Sequence, residues 1–310
     1  MLLYTLKRLL MMAPIILIVA FLVFTIMNLT PGNPARIILG PSASPEAIDK
    51  LNTELGYDRP FFVRFGHYVF DVVTRFDFGN AYRTREPVVD ELVKRVPVSL
   101  RVAFNGILFA TIVGIPIGIV SAVKQYSAID SVARVLGILL ASIPAFWLGL
   151  MLIMLFSLKL GLLPSSGLAD WKSFVLPMIA LGLPASGSQL RFTRSAMLET
   201  IRQDYVRTAR AKGVPEHTVI FGHALKNALL PIITVIGSSF GGLLGGAVLT
   251  ESIFSLPGLG TMIVSGIRTK DIPIVMGGTL FFAVMFGIIM LIVDLLYAFV
   301  DPRIKAKYSR

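Results

Sequence analysis

The hydrophobic pattern of the chain consists of long apolar segments separated by polar ones, without the short-period alternation of a transmembrane barrel. Six windows without a charged residue reach or approach the roughly 20 residues of a membrane-spanning helix. They are Leu9–Thr30, Val102–Val123, Val135–Leu158, Ser173–Leu190, Asn227–Thr250 and Ile272–Val293. The fourth contains Pro177 and Pro184, so we expect its helix to be kinked or to continue past Arg191. The pattern predicts an all-α polytopic membrane protein with six transmembrane helices.

Composition supports a membrane protein. Of 310 residues, 55% are hydrophobic and 15% are charged, whereas soluble domains carry about 25% charged residues. The absence of cysteine excludes a disulfide scaffold, thiolate metal sites and cysteine nucleophiles. Lys7 and Arg8 precede the first window as in a signal peptide, but that window is longer than a signal core and no small-residue cleavage pattern follows it. We therefore interpret it as a retained first helix.

The basic residues predict the orientation of the chain. The formal net charge is +11, and most of the excess falls in the polar segments on one side of the predicted membrane. The basic residues on that side are Lys7, Arg8, Lys124, Arg134, seven between Arg191 and Lys226, and Arg303, Lys305, Lys307 and Arg310. The segment Pro31–Pro97, on the other side, has nine basic and nine acidic residues. The positive-inside rule then places both termini in the cytoplasm, and this topology explains the charge without nucleic-acid binding.

The same pattern divides the chain into four parts. Residues 1–30 hold the N-terminus and first helix, 31–97 an extracytoplasmic helical insertion, 98–300 a core with five transmembrane helices, and 301–310 a cytoplasmic tail. Within the insertion we expect helices at Pro45–Leu55, Phe61–Phe70 and Pro87–Arg95, with Ser44 as N-cap of the first and a turn at Asp77–Asn80. The core includes a long cytoplasmic loop, 191–227.

This loop is longer than a connection between neighbouring helices requires. Good helix formers run to Lys212, Gly213 suits the left-handed residue after a last helical turn, and Pro215 suits the first position of a new helix. The loop is therefore predicted to form a helix–turn–helix at the membrane surface. On these residues alone two interpretations are open: a surface that a partner protein approaches closely, or a basic amphipathic segment resting on anionic lipid.

Particular motifs carry a resemblance to a known family. The run Asp204-Tyr205-Val206-Arg207-Thr208-Ala209-Arg210-Ala211-Lys212-Gly213, followed by His223, Leu225, Asn227, Ala228 and Pro231, resembles the coupling motif of ABC-importer permeases of the dipeptide/oligopeptide/nickel type. The resemblance extends over nearly the whole chain. Its other motifs are Pro31–Pro34, Leu55–Pro60, Asp77–Gly79, Pro87–Val88, Glu251–Gly260, Asp294–Tyr297 and Asp301–Ile304.

The resemblance implies a type I ABC importer permease fold with a small helical extracytoplasmic insertion after the first helix. It also implies two functional segments, an ATPase-coupling segment and an extracytoplasmic gate loop. The coupling residues are Asp204, Tyr205, Arg207, Thr208, Ala209, Ala211, Gly213, Glu216 and His217, and the gate-loop residues are Glu251, Phe254, Pro257, Gly258 and Gly260. Arg207 stands where the general motif begins with an acid, which leaves open the side chain that contacts the ATPase. A plain re-entry turn is the alternative for the gate loop.

The function implied by the resemblance is that of a permease subunit forming half of the pathway of an ATP-driven importer of di- or oligopeptides. Its implied partners are a second homologous permease, two ATPase subunits, an extracytoplasmic substrate-binding protein and membrane lipid, but no nucleic acid. The chain itself would bind no cofactor, with ATP and Mg on the ATPases. The location would be a bacterial inner (cytoplasmic) membrane. Glutathione and nickel or another metal chelate are the alternative substrates.

The energy source distinguishes this interpretation from its rival. The sequence has no Gly-x-x-x-x-Gly-Lys-Ser/Thr motif to cradle a nucleotide phosphate, so the chain is not expected to be an enzyme. An ATP-independent secondary transporter or channel is the alternative class. Scarce charges within the windows and the absence of a detectable repeat disfavour it. Asp294 lies within a helix window extended towards the C-terminus, where a proton relay and a local structural role are both conceivable.

The spacings of the histidines and of the glycines allow only limited conclusions. His217 and His223 are six residues apart, which is poor spacing for paired metal ligands on a helix, and no metal site is expected. Gly114 and Gly118, and the patch Gly241–Gly246, have the spacing of four residues that permits close helix approach. For that patch, contact with a partner permease and packing within the chain are both open.

Overall fold

The computed structural model describes the backbone of residues 2–300 and the side chains of residues 5–295. The predicted tail 301–310 and the motif Asp301–Ile304 lie outside the described residues. The described chain is helical apart from turns, loops and one isolated bridge. Its helices are α1 (Leu2–Leu29), α2 (Pro34–Leu39), α3 (Pro45–Glu54), α4 (Phe61–Arg75), α5 (Val88–Val123), α6 (Ala128–Ser142), α7 (Ala145–Leu152), α8 (Val175–Ile201), α9 (Asp204–Ala211), α10 (Glu216–Thr218), α11 (Leu225–Ile253), α12 (Leu259–Thr269) and α13 (Ile272–Val300).

The long helices coincide with the six hydrophobic windows. Within the described residues, five helical segments are long and apolar enough to cross a membrane, and one bent pair adds a sixth candidate. The segments are Thr5–Leu29, Val88–Val123, Trp171–Ile201, Glu216–Ile253 and Ile272–Leu295, and the pair is Ala128–Ser142 with Ala145–Lys159. The fourth window continues past Arg191 to Ile201, as expected. Five to six candidate spans are consistent with the predicted all-α polytopic fold.

The third window differs from a single continuous helix. α6 and the helical segment after it meet at an angle of 92°. Pro144 has no N–H to continue the hydrogen-bond pattern of α6, and the residue before a proline avoids helical backbone. Ile143 accordingly adopts φ −75° and ψ 123°. After α7, Ile153–Lys159 continues as wider π-helical turns. One proline thus divides a window that is apolar on both sides.

The chain divides into two compact units. The first is built mainly from Leu100–Leu256. In this unit α5 and α8 approach closely where α5 carries glycine: a Cβ added at Gly114 would lie 2.6 Å from the carbonyl oxygen of Ser186, and one at Gly118 would lie 2.7 Å from that of Leu190. The four-residue spacing of these glycines therefore marks packing within the chain.

The predicted Gly241–Gly246 patch is packed only in part. Gly241 is buried, and a Cβ at Gly246 would lie 3.3 Å from Leu181. By contrast, a Cβ at Gly242 or Gly245 would have no heavy atom within 4 Å among the residues that the structure describes. Contact of these two glycines with a partner permease stays a prediction.

The second unit contains Arg8–Ser99 and Pro257–Gly287. The hydroxyl of Ser44 caps α3 by accepting from the N–H of Ala47, as predicted. The side chain of Asp77 accepts the N–H of Gly79 at 2.8 Å in the predicted turn. Two predicted helix bounds in the insertion were wrong: α4 continues to Arg75, and Pro87–Arg95 is not a separate helix because its residues begin α5. The helices α2 and α12 were not predicted.

A buried aspartate joins distant segments of the second unit. Asp271 caps α13 by accepting the N–H of Ile274, and its other carboxylate oxygen accepts the N–H groups of Tyr82 and Arg83 at 2.8 and 3.3 Å. Burial raises the pKa of Asp271, and the three backbone donors act in the opposite direction. The hydroxyls of Tyr57 and Tyr82 are hydrogen-bonded to each other. These bonds hold the residues before α5 against the start of α13.

Candidate functional site

The predicted helix–turn–helix begins with α9, which is anchored by one face. Val206 and Ala209 are buried in an apolar cluster that includes Val219, Ile220 and Ala224 from the segment after the turn. Ala122 at the end of α5 and Ala196 and Met197 in α8 complete the contacts. One face of α9 is therefore packed against α5 and α8, and its opposite face is exposed.

The outward side chains form a surface that we call the rim. The rim consists of Asp204, Tyr205, Arg207, Thr208, Ala211, Glu216 and His217, all of them exposed. Of the nine predicted coupling residues, these seven are exposed, as is Gly213 in the turn, and Ala209 is buried. Thr208 satisfies its hydroxyl within the helix by donating to the carbonyl of Asp204 at 2.9 Å. The rim thus presents charged, aromatic and small side chains together.

The turn after α9 is a Schellman motif, in which a left-handed residue closes the helix. Gly213 has φ +76°, as predicted from its position. The N–H of Gly213 donates to the carbonyl of Arg210 at 3.0 Å, and the N–H of Val214 donates to that of Ala209 at 3.3 Å. Since L-residues other than Asn and Asp rarely adopt this backbone, the direction of the second helix depends on a glycine here.

An ion pair spans this turn and was missed by sequence reasoning. The guanidinium of Arg210 donates to both carboxylate oxygens of Glu216, from Nε at 3.1 Å and from Nη2 at 2.7 Å. The carboxylate of Glu216 therefore faces back towards α9. Six residues separate the partners, so no helical spacing rule connects them, and their proximity follows from the turn at Gly213.

The second helix of the element continues into the membrane without interruption. α10 passes through π-helical turns at Val219–Ala224 into α11, and Glu216–Ile253 forms one candidate span of 38 residues. The side chain of Asn227 donates to the carbonyl of His223 within this helix at 2.9 Å. Glu216 and His217 of the rim therefore stand at the start of one long helical segment.

A small apolar groove lies beside the rim. Its volume is about 250 Å³, and its lining includes Val120 and Val123 from α5 and Ile220 and Phe221 from the second helix. Phe221 is 61% exposed. Phe221 ends the segment Asp204–Phe221 that the resemblance places against an ATPase, and an exposed aromatic next to a charged surface is a common feature of protein interfaces.

A second group missed by sequence reasoning lies under the same cluster. Asp130 is completely buried and accepts hydrogen bonds from Arg194, from Nε at 2.7 Å and from Nη2 at 2.9 Å. The hydroxyl of Ser121 donates to the same carboxylate at 2.7 Å, and the N–H of Tyr126 donates at 3.0 Å. This Asp130–Arg194 ion pair ties the ends of α5 and α8 to the start of α6. Charged residues were counted for orientation, and their pairing across 64 positions has no local signal.

The predicted gate-loop residues are mostly buried. In the first unit, Glu251 lies in the last turn of α11, and the carbonyl of Phe254 accepts the N–H of Gly167 at 2.9 Å. In the second unit, Gly258 and Gly260 are buried at the start of α12, and Pro257 is exposed. Contact of this segment with a binding protein stays a prediction. Among the described residues, no group of three His, Cys, Asp or Glu side chains is arranged to hold a metal ion.

The helical spans and the exposed helix–turn–helix are those of a polytopic helical membrane protein. Families of known proteins agree with this class. The family described as "Binding-protein-dependent transport system inner membrane component" matches residues 114–306, and "Binding-prot-dependent transport system membrane comp, N-term" matches residues 1–103.

Individual relatives match almost end to end. The chain is 41% identical over 304 residues to "Glutathione transport system permease protein GsiC" of Salmonella choleraesuis (strain SC-B67), covering 98% of this chain and 99% of the relative. It is 41% identical over 333 residues to "Dipeptide transport system permease protein DppB" of Alkalihalophilus pseudofirmus, covering 98% and 100%. GsiC of Escherichia coli (strain K12) is 39% identical over 304 residues, covering 98% and 99%.

Solved structures share the fold. The inward-facing MetNI methionine ABC transporter (CY5 SeMet soak crystal form) matches with a TM-score of 0.54 at 18% identity, covering 68% of this chain and 96% of that one. The crystal structure of an amino acid ABC transporter with histidines matches with a TM-score of 0.52 at 15% identity, covering 69% and 94%.

The chain belongs to the family of binding-protein-dependent transport system inner membrane components, and it is a permease subunit of an ABC importer. It is a membrane subunit that is not itself catalytic, because ATP hydrolysis in such importers is performed by a separate subunit. Family membership also implies partners of the ATPase and substrate-binding-protein kinds. The autonomous carrier or channel is thereby set aside.

Proposed function

We propose that this permease forms half of the inward pathway for short peptides, with di- or oligopeptides as the principal substrates. Relatives named for dipeptide and glutathione transport, at 39–41% identity over 98% of the chain, support a peptide-like solute. Glutathione is a tripeptide derivative and is the first alternative. A nickel or other metal chelate is the second, and it rests on the motif resemblance alone.

The proposed assembly contains a second homologous permease, two ATPase subunits that bind ATP and Mg, and an extracytoplasmic binding protein that delivers the solute. Both termini and the rim face the cytoplasm in this arrangement. The clustering of Lys and Arg in the segment that contains the rim supports this orientation.

The proposed coupling role is supported by the fixed position of the rim at the start of a long helix. Glu216 and His217 begin the candidate span that runs to Ile253, and α9 packs against it through Val206 and Ala209. An ATPase that binds the rim would move this helix when the ATPase changes conformation. The ATPase would then bind two states of the permease with different affinities. Arg207 and Asp204 are both exposed, so either can contact the ATPase.

The turn offers a direct test with a matched control at the same position. Gly213→Val forces a β-branched residue into a backbone with φ +76°, whereas Gly213→Asn places there the residue that best tolerates it after glycine. We expect the Val variant of the reconstituted importer to lose most of its substrate-stimulated ATP hydrolysis and the Asn variant to retain most of it. Both variants should insert into the membrane equally well. Equal stimulation in the two variants would remove the geometry of this turn from the coupling mechanism.

The substrate is tested separately with the complete importer in proteoliposomes. Uptake of a labelled dipeptide is measured in competition with longer peptides, glutathione and a nickel chelate. Dipeptide uptake that peptides inhibit supports the principal assignment, whereas no uptake of the dipeptide alongside uptake of labelled glutathione or of the chelate overturns it.

A further inference from the structure

The amphipathic helix α4 in the insertion has three different faces. One face packs against α1, with Phe61, Phe65 and Tyr68 at the spacing of one helical side. The ring of Phe21 lies 5.9 Å from that of Phe61 and 5.3 Å from that of Phe65, measured between centroids. The ring of Phe24 lies 5.2 and 5.4 Å from the same two rings. This aromatic cluster fixes the height of α4 along α1.

A second face of α4 is polar. Arg75 and Asp71 form an ion pair at 3.4 Å, and the guanidinium of Arg64 lies 4.1 Å from the ring centroid of Tyr57. His67 and Asp71 line a cavity of about 580 Å³ within the second unit. The charged groups of α4 are thus gathered on one side of the helix.

The third face is apolar, and its large side chains are mostly exposed in the structure. Phe62, Gly66, Phe70 and Val73 follow one another at intervals of four, four and three residues, which places them on one side of the helix. Phe62 is 74% exposed, Val73 is 76% exposed and Phe70 is 56% exposed. A stripe of large apolar side chains is costly to leave in water, so its surroundings need an explanation.

The place at which α4 packs along α1 explains what surrounds this apolar face. The uncharged part of α1, from Leu9 to Leu29, has 21 residues, which is roughly 31 Å of helix against a hydrocarbon core of about 30 Å. Phe24 and Phe21 precede Leu29 by five and eight residues, or roughly 7 and 12 Å. With Leu29 at the hydrocarbon boundary, these rings lie about 7 and 12 Å inside it. Interfacial helices lie about 5–10 Å into the same region.

The helix against which α4 packs is itself mostly exposed in the structure, as expected of a helix in contact with lipid. Only 11% of the apolar window of α1 is buried, and Leu22 and Ile26, on either side of Phe24, are more than half exposed. We infer that α4 lies in the leaflet at which α1 ends, with its Phe62–Val73 face covered by acyl chains and its polar face turned to the insertion. This inference needs α1 to span the bilayer, and it does not depend on the solute or on the coupling role proposed for the rim.

The consequence concerns the insertion. Residues 31–97 were predicted to form an extramembrane segment, but α4 within it would be an interfacial anchor that is held against α1 from one side and by lipid from the other. Such an anchor would keep the cavity lined by its polar face at a constant height above the membrane.

The natural absence of cysteine makes a depth measurement straightforward. A spin label is attached to Val73→Cys in the complete importer, reconstituted in phospholipid vesicles with the partner chains free of reactive cysteine. Thr74→Cys is the matched control, because Thr74 is the adjacent exposed residue and lies about 100° further round the helix. Collision rates with oxygen, which concentrates in lipid, and with a water-soluble nickel complex are measured for both. We expect the nickel collision rate at Val73 to be severalfold lower than at Thr74 and the oxygen rate to be higher.

Two results would overturn the inference. Equal nickel collision rates at the two positions would place the Val73 face in water. An immobilised label at Val73 that neither reagent reaches would show that a protein, such as the partner permease, covers the face. Phe62→Cys serves as a second position on the same face, because Phe62 is exposed and lies about 20° from Val73 around the helix, and it should report the same environment as Val73. Because all three sites are exposed, labelling is not expected to prevent folding.

Discussion

Arg194→Met should destabilise the permease more than the same substitution at the neighbouring Arg134. The substitution keeps an unbranched side chain of useful length but removes the charge that faces Asp130. Asp130 has no solvent-accessible surface, whereas the side chain of Arg194 is 18% exposed. The carboxylate would therefore stay buried after losing its principal partner.

The magnitude follows from the contacts. Removing one member of a buried ion pair costs about 3–5 kcal/mol. Asp130 would retain the donors of Ser121 and Tyr126, which favours the lower end, about 3 kcal/mol. Arg134→Met is the matched control, because Arg134 approaches the same carboxylate only to 3.7 Å and is half exposed. An exposed pair of this kind contributes under about 1 kcal/mol.

A double variant separates the loss of charge compensation from the loss of side-chain packing. In Asp130→Asn with Arg194→Met, the amide can accept from the N–H of Tyr126 and donate to the hydroxyl of Ser121, so both bonds persist without a buried charge. We expect it to recover most of the loss, to within about 1 kcal/mol of the native protein. Free energies of unfolding are compared by denaturant titration of the detergent-solubilised protein. Equal effects of Arg194→Met and Arg134→Met, or no recovery in the double variant, would refute this reasoning.

Three other outcomes are expected. Asp271→Ala leaves buried backbone donors unpaired and should cost about 1–3 kcal/mol in the unfolding free energy, with Asp271→Asn closer to the native value. Burial raises the pKa of the Asp271 carboxyl in the folded protein above its unfolded value of about 4. The stability that this carboxyl contributes is therefore present below the unfolded pKa, and it is lost as the pH rises through the folded pKa. Unfolding midpoints across this pH range should show that component in the native protein and not in the Asn variant. Gly118→Val, whose Cβ would lie 2.7 Å from the carbonyl oxygen of Leu190, should cost about 1–3 kcal/mol by overpacking. Gly66→Val, which meets nothing within 4 Å, is its control and should leave the same unfolding measurement nearly unchanged.

The sequence predicted features that depend on a few neighbouring residues. Apolar windows identified the candidate spans because a helix in hydrocarbon must be apolar along its whole length. Ser44, Asp77 and Gly213 were informative because capping and left-handed turns are local geometry. The division of the third window was not predicted, although Pro144 was visible. A proline within an apolar window is compatible with a kinked span, and only packing determines whether the chain bends as far as 92°.

The candidate site was predicted to a similar extent. Its coupling residues were selected because they belong to a recognisable run, and all of them except Ala209 are exposed. Their contact with an ATPase stays a prediction. Its supporting contacts were not found. Arg210 and Glu216 meet because the turn reverses the chain between them, and Asp130 and Arg194 meet only once α6 packs on α8. No periodic pattern in the sequence predicts which of the several arginines is buried beside Asp130.

In the first unit, the residues that would contact a partner differ from the buried residues that hold the contact surface in place. Ala122 and Ala196 belong to the cluster beneath the rim, and they lie one and two residues from Ser121 and Arg194 of the buried ion-pair network. A change at Asp130 or Arg194 therefore acts on the cluster that holds α9, so losses of stability and of coupling should occur together. Rim residues such as Arg207 project from the opposite face of α9 and are exposed, so their substitution should alter ATPase stimulation at nearly constant unfolding free energy. Measuring both quantities on the same variants distinguishes the residues that bind a partner from those that hold the binding surface in place.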